Sequence, residues 1–153
     1  MNLPFVSILI PIRNEAPYID RCIQGVLTQD YPQNQIEILV VDGMSTDNTR
    51  EIIHDYQQEH LNIVLLDNPG KIVPTGMNIA LRKANGDVII RVDGHCVIAP
   101  DYVRMCIEHL QREGVDGVGG PMESIGETPL SETIALAMSS PFGVGNSAFR
   151  TTT

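Results

Sequence analysis

Asp93 and His95 stand one residue apart in Arg91-Val92-Asp93-Gly94-His95-Cys96, directly after the apolar run Val88-Ile89-Ile90. A carboxylate and an imidazole at the end of a buried strand are a plausible pair of metal ligands. Together they leave most of an octahedral shell open for phosphate oxygens and water. Imidazole suits Mn²⁺, while Mg²⁺ prefers oxygen. The plainer alternative is that Asp93 holds a turn and His95 is a surface residue. Cys96 follows His95, but no second ligand pair has zinc-site spacing. Two other polar clusters follow apolar runs: Pro11-Ile12-Arg13-Asn14-Glu15 and Asp42-Gly43-Met44-Ser45.

The elements that must position these clusters follow from periodicity. Short apolar runs read as buried strands at Phe5 to Ile10, Ile36 to Val41, Ile63 to Leu66 and Val88 to Val92. Helical spacing lies between them: Ile19, Ile23, Val26 and Leu27; then Ile52, Ile53 and Tyr56 after the cap-rich stretch from Ser45 to Thr49. A third helix starts at Pro74 and carries Met77, Leu81 and Ala84 inward. A fourth follows Pro100 with Val103, Cys106, Ile107 and Leu110. Val115 to Met122 is glycine-rich and reads as a fifth strand. A short helix is expected near Leu130 to Met138 and a loop or strand at Phe142 to Phe149. Strands alternating with helices imply an α/β fold, a mostly parallel sheet with helices on both faces. In such sheets ligands bind outside the carboxyl ends of the strands, where strand order reverses. A parallel arrangement brings the three polar clusters to one rim.

Composition narrows the chemistry. The 153 residues carry ten Lys+Arg against nineteen Asp+Glu, a net charge of -9. That balance argues against a nucleic-acid surface, which needs a basic patch. A phosphorylated small molecule is still admissible if a cation, backbone donors or a few local basic residues offset the repulsion. No apolar run is long enough for a membrane span. Three cysteines without CxxC spacing, and no basic leader, fit a reducing cytoplasm. No GxGxxG follows the first strand, and no GxxxxGK[ST] occurs anywhere. Without a glycine cradle, the remaining route to phosphate is a divalent metal held by side chains.

Three ordered motifs together resemble glycosyltransferase family 2, the inverting enzymes of the Rossmann-like GT-A fold. They are PIRNE at 11–15, VVDGMSTDNT at 40–49 and GMNIALRKANGDVIIRVDGH at 76–95. The likeness covers residues 4–122, and GGPM with SPFGVGNSAFR is similar to a subgroup that builds exopolysaccharides such as succinoglycan. The resemblance implies transfer of a sugar from a nucleotide-diphosphate sugar, a UDP-sugar above all, to an acceptor hydroxyl with inversion. The acceptor would be a saccharide or a lipid-linked one. Pro11, Arg13, Asn14 and Glu15 would line the nucleotide end of the pocket. Asp42 would read the base at the uracil imide, and Asp93 and His95 would face the diphosphate with Mn²⁺ or Mg²⁺. The alternatives are a strand end at Pro11, loop or cap residues at Asn14 and Glu15, and a cap formed by Asp42 with Ser45. His54, His60 and His109 read as inert surface residues.

This sequence departs from the family pattern in three ways. Gly43 stands where a second Asp is usual, and His95 replaces the last Asp of Asp-x-Asp. The general base that deprotonates the acceptor has no family-like counterpart in Glu123, Glu127 or Glu132. The expectation is therefore a donor-binding domain at 1–122, the start of an acceptor-side region at 123–153 and a base beyond Thr153. Transfer by this chain alone would then be slow, in the cytoplasm or at the inner membrane face of a longer parent. The competing readings are a nucleotide-binding or assembly module without turnover, and a nucleotidyltransferase. The second is disfavoured because its glycine-rich, basic first loop is absent.

Overall fold

A computed structural model describes residues 3–126, 128–140 and 143. Four parallel strands form one sheet: β1 (Val6–Ile12), β2 (Ile36–Asp42), β3 (Ile63–Asp67) and β4 (Val88–Arg91). The helices are α1 (Ile19–Leu27), α2 (Thr49–Glu59), α3 (Val73–Lys83), α4 (Tyr102–Glu113) and α5 (Pro129–Met138), with a single 3₁₀ turn at Gln33–Gln35. The chain divides into two compact units, residues 1–107 and 108–153, and the whole sheet lies in the first.

Strand order is β3-β2-β1-β4. The chain runs outward from β1 through β2 to β3, then returns to the other side of β1 for β4. Strand order therefore reverses at β1. All seven residues of β1 are buried, as a central strand covered on both faces requires. Alternation divides its side chains between two cores. Val6, Ile8, Ile10 and Ile12 join Ile36, Ile38 and Val40 of β2 on one face, with Ile19, Cys22, Ile23 and Val26 of α1, Ile53 of α2, and Val103, Cys106 and Ile107 of α4. Leu9, Leu39 and Val41 face the other way, onto Ala80 of α3. Burial pushes the Cys22 thiol up to about 12, with the neighbouring Cys96, Glu15 and Asp93 acting in the same direction.

The register determines where the strands end. Ile12 pairs with Asp42, and Asp42 with Asp67, so β1, β2 and β3 finish level. β4 stops at Arg91 opposite Leu9, one residue short of the expected Val92. The residues after β4 therefore run beside the last turn of β1, and Val92 N–H still donates to Leu9 O at 3.0 Å.

Two expectations are corrected. Val115 to Met122 is not a strand; it has no regular structure, and Val115, Val118 and Met122 are exposed. Glycine weakens a strand unless another backbone approaches it, and nothing lies within 4 Å of a Cβ added at Gly117 or Gly119. In α3 the inward face is set one residue earlier than expected. Gly76 and Ala80 are buried, Met77 and Ala84 are partly buried, and Leu81 is 48% exposed. Small residues at i and i+4 let α3 approach the sheet closely, and a Cβ at Gly76 would sit 3.5 Å from Val41 Cγ1. The short helix near Leu130 is present as α5. Phe142 to Phe149 lies outside the described residues except Gly143. Among the described residues no helix is long and apolar enough to cross a membrane.

The phase of α3 is testable by urea denaturation. Ala80→Leu overpacks the smaller core and should cost about 1–3 kcal/mol, whereas Leu81→Ala should change stability by less than about 0.5 kcal/mol. The reverse ranking would put Leu81 inward.

Candidate functional site

A cavity of about 240 Å³ opens at the carboxyl edge of the sheet. Pro11, Ile12, Arg13 and Glu15 contribute from the end of β1, and Val41 from β2. Asn68, Lys71, Ile72 and Val73 come from the connection after β3, and Arg91, Asp93 and His95 from the end of β4. Of the candidate residues, Pro11, Arg13, Glu15, Asp93 and His95 meet in its wall, while Asn14 and Asp42 do not. The cations Arg13, Lys71 and Arg91 all line it with the carboxylates Glu15 and Asp93, so three positive charges meet two negative ones in a chain of net charge -9.

The turn after β4 shapes the metal-ligand end. Cys96 N–H donates to Asp93 O at 2.8 Å, which closes a β-turn over 93–96. The turn draws Asp93, His95 and Cys96 together, and one donor atom of each lies within 4.8 Å of the others. Gly94 is needed because a Cβ there would meet Ile12 Cγ2 at 2.5 Å and Glu15 Cγ at 3.3 Å. Arg91 Nε donates to Asp93 Oδ1 at 2.8 Å, leaving Oδ2 for another partner. His95 Nδ1 lies 3.1 Å from Glu15 Oε1, which orients the ring and leaves Nε2 free to ligate. Carboxylate, imidazole and thiol donors at this spacing fit a divalent transition ion. Burial, with the charge of Asp93, holds the Cys96 thiol above its ordinary value.

The loops after β1 and β2 are stitched together. Asn14 takes a left-handed backbone (φ 56), Asn14 N–H donates to Ser45 Oγ, and Asn14 Oδ1 accepts from Thr46 N–H, both at 2.8 Å. Glu15 N–H donates to Thr49 Oγ1 at 2.9 Å and Ala16 N–H to Asp47 Oδ2 at 3.2 Å. Neither Asn14 nor Glu15 caps α1 with its side chain; its first turn is held by Glu15 O. Gly43 leaves room for Arg13, since a Cβ at 43 would stand 3.2 Å from Arg13 Cβ. The replacement of the usual second Asp thus goes together with the stem of Arg13.

Asp42 is fully buried. Its carboxylate accepts from Ser45 N–H, from Ser45 Oγ in a short contact, and from Arg50 Nη1 at 2.6 Å. Arg50 also reaches Asp67 at 2.8 Å, tying the ends of β2 and β3. Asp42 therefore holds the turn with Ser45, and α2 starts at Thr49 behind Asn48 without a side-chain cap.

Sequence reasoning missed the connection after β3. Asn68 is buried, bonds Ile72 O through Nδ2 at 2.9 Å and accepts from Thr75 Oγ1 at 2.8 Å, which presents Lys71 at φ 60. The signal was present: Asp67 to Lys71 follows a parallel strand, as the other clusters do. Arg91 was likewise overlooked, although it sits two residues before Asp93.

Two predictions follow from this brace. At Asp47, desolvation favours protonation but is outweighed by hydrogen bonds from the Thr49 hydroxyl and the N–H groups of Thr49 and Ala16, so its pKa lies below the usual 3.8. A depressed folded pKa gives stability that is present above the unfolded value and lost as pH falls through the folded one. Asp47→Asn should therefore lower Tm at pH 7 relative to wild type, and the gap should close below about pH 4; a gap that persists in acid would remove the charge from the account. Arg50→Met leaves the buried Asp42 short of a charge-assisted bond and should cost about 1.5–3 kcal/mol in urea denaturation. Adding Asp42→Asn should recover part of that loss, and strict additivity would show that the two do not interact.

The sequence matches glycosyl transferase family 2 over residues 7–150. A dolichyl N-acetyl-alpha-D-glucosaminyl phosphate 3-beta-D-2,3-diacetamido-2,3-dideoxy-beta-D-glucuronosyltransferase of Methanococcus voltae is 35% identical over 150 residues, covering 94% of this chain and 47% of its own. The succinoglycan biosynthesis protein ExoA of Rhizobium meliloti is 34% identical over 146 residues, covering 94% and 44%. This chain thus spans less than half the length of either relative. Among solved structures, the mannosyltransferase PcManGT of Pyrobaculum calidifontis, in complex with GDP-Man and Mn²⁺, superposes with a TM-score of 0.70 at 26% identity, covering 80% of this chain and 36% of that one. S. aureus TarS 1-349 in complex with UDP-GlcNAc gives 0.65 at 26% identity, covering 80% and 38%. With its α/β GT-A fold, the chain belongs to glycosyl transferase family 2.

Proposed function

We propose that residues 1–122 bind a nucleotide-diphosphate sugar for transfer, with inversion, to an acceptor hydroxyl in polysaccharide biosynthesis. The observation that carries this reading is the meeting of Arg13, Lys71 and Arg91 with Asp93 and His95 in one cavity at the strand-order reversal. Cations and metal ligands on one wall suit a diphosphate, and the apolar Pro11, Ile12 and Val41 suit the flat face of a base. The complexes of PcManGT with GDP-Man and of TarS with UDP-GlcNAc support a nucleotide sugar as donor. UDP is the favoured nucleotide on the resemblance of the VVDG motif. Asp42 stands one residue beyond Val41 of the wall, and its assignment to the base rests on that resemblance.

Asp93 and His95 would hold Mn²⁺ or Mg²⁺, with Glu15 fixing the imidazole. A divalent ion, when bound, stabilises the charge that develops on the departing diphosphate. Arg13, Lys71 and Arg91, which line the same cavity, offset the same charge. Glu123, Glu127 and Glu132 are given no role, and no residue of this chain is assigned as the general base. The acceptor is a saccharide or lipid-linked one, on the cytoplasmic side. Residues 123–153 open the acceptor-side region. The likeness to ExoA supports an exopolysaccharide as product.

Two measurements test the reading. In calorimetry, UDP affinity should rise with Mn²⁺, and Asp93→Ala should remove most of the increase, about ten- to hundredfold; equal affinity with and without Mn²⁺ would end the metal assignment. Incubation with UDP-sugars should release UDP. Pyrophosphate release would mean nucleotidyl transfer, and tight binding with no product of either kind would favour a binding module.

A further inference from the structure

We infer that Cys96 is a third protein ligand of the ion held by Asp93 and His95, which lets a site for Mn²⁺ or Mg²⁺ accept thiophilic divalent ions such as Zn²⁺ and Co²⁺ as well. The inference rests on the metal assignment of the proposed function and goes beyond it, since a site of oxygen ligands alone would have no use for a thiol. Position 96 is fixed by the turn: its N–H closes onto Asp93 O, so the first and fourth residues stand side by side with His95 between them.

The three donors lie within 4.8 Å of one another. Ligand atoms on one tetrahedral zinc ion stand roughly 3.5 Å apart, so ligation draws the three donors inward by rotation of their side chains. The turn itself is anchored: Gly94 is pressed against Ile12 and Glu15, and Glu15 holds His95 Nδ1. Arg91 occupies only one oxygen of Asp93. Cys96 is also the cysteine able to meet an ion from solvent, because Cys22 and Cys106 are buried and Cys96 is half-buried.

Ligation forms one sulfur–metal bond as the S–H bond breaks and the proton passes to bulk water, with no change of oxidation state. A thiolate favours Zn²⁺ and Co²⁺ strongly and Mn²⁺ or Mg²⁺ weakly. Cys96 should therefore control the selectivity between ions more than the affinity for any hard one.

Co²⁺ titration of the intact chain tests this. The wild type should show visible d–d bands together with a near-ultraviolet sulfur-to-cobalt charge-transfer band. Cys96→Ser should lose the second and keep the first, while Cys22→Ser and Cys106→Ser keep both. In competition, Cys96→Ser should weaken Zn²⁺ about ten- to hundredfold relative to Mn²⁺; a merely structural role would lower both ions alike. If Cys96→Ser does not fold, alkylation of Cys96 in the wild type, mapped by mass spectrometry, should be slowed by Zn²⁺ and not by Mg²⁺. Co²⁺ bound without the charge-transfer band, or equal alkylation with both ions, overturns the role of Cys96 and leaves Asp93 and His95 as ligands. Failure to bind Co²⁺ at all, or unchanged binding in Asp93→Ala, overturns both.

Discussion

The parallel pairing of β1 with both β2 and β4 is the constraint on which the rest depends. A strand hydrogen-bonded on both edges and covered on both faces has no exposed backbone to satisfy, so all seven of its residues can be apolar or small and buried. Because the pairs are parallel, the chain must leave each strand at the same edge. Because β4 pairs with β1 and not with β3, the loops after β1 and β4 become neighbours. Glu15 reaches His95 across eighty residues of sequence for that reason alone. The short β4 brings Gly94 against Ile12, where only a residue without a Cβ fits.

The rim is built under strain and held by side chains. Among the described residues the non-glycine residues with positive φ are Asn14, Met44 and Lys71, one after each of β1, β2 and β3. Such backbone costs of order 1–3 kcal/mol at each position and persists only where its surroundings over-determine it. At Asn14 the surroundings are visible: its side chain and N–H bond Thr46 and Ser45, and the next two N–H groups bond Thr49 and Asp47. At Lys71 the support is Asn68, whose amide bridges Ile72 and Thr75. Asn14 and Asn68 position the rim, and Lys71 is part of the cavity wall itself.

Local arrangement overrides net charge. A protein of charge -9 would repel a diphosphate at long range. At the cavity, however, Arg13 and Lys71 stand beside Arg91. The carboxylates nearby are paired: Asp93 with Arg91, Asp42 and Asp67 with a shared Arg50, and Glu15 with His95. At the Debye length of about 8 Å in physiological salt, these near charges outweigh the distant ones.

Much of this was legible in the sequence. Apolar runs of strand length, separated by helical spacing, gave the four strands, and parallel order followed from their alternation with helices. Periodicity sets those elements locally, and the rule for strand ends then singled out the clusters at 11–15, 42–45 and 93–95, of which Asn14 and Asp42 stand outside the cavity wall. What periodicity cannot carry is distance between residues far apart in sequence. The phase of α3 turned on which side lets a helix approach Val41, so Ala80 and not Leu81 faces the sheet. Val115 to Met122 had a strand's composition and no partner backbone. Asp42 had two readings in the sequence, base recognition or a cap with Ser45, and its burial against Arg50, eight residues on, came only with the tertiary structure. The grouping of Cys96 with Asp93 and His95 was decided only by the turn that closes over them, because a side chain's neighbours depend on backbone conformation that spacing alone leaves open.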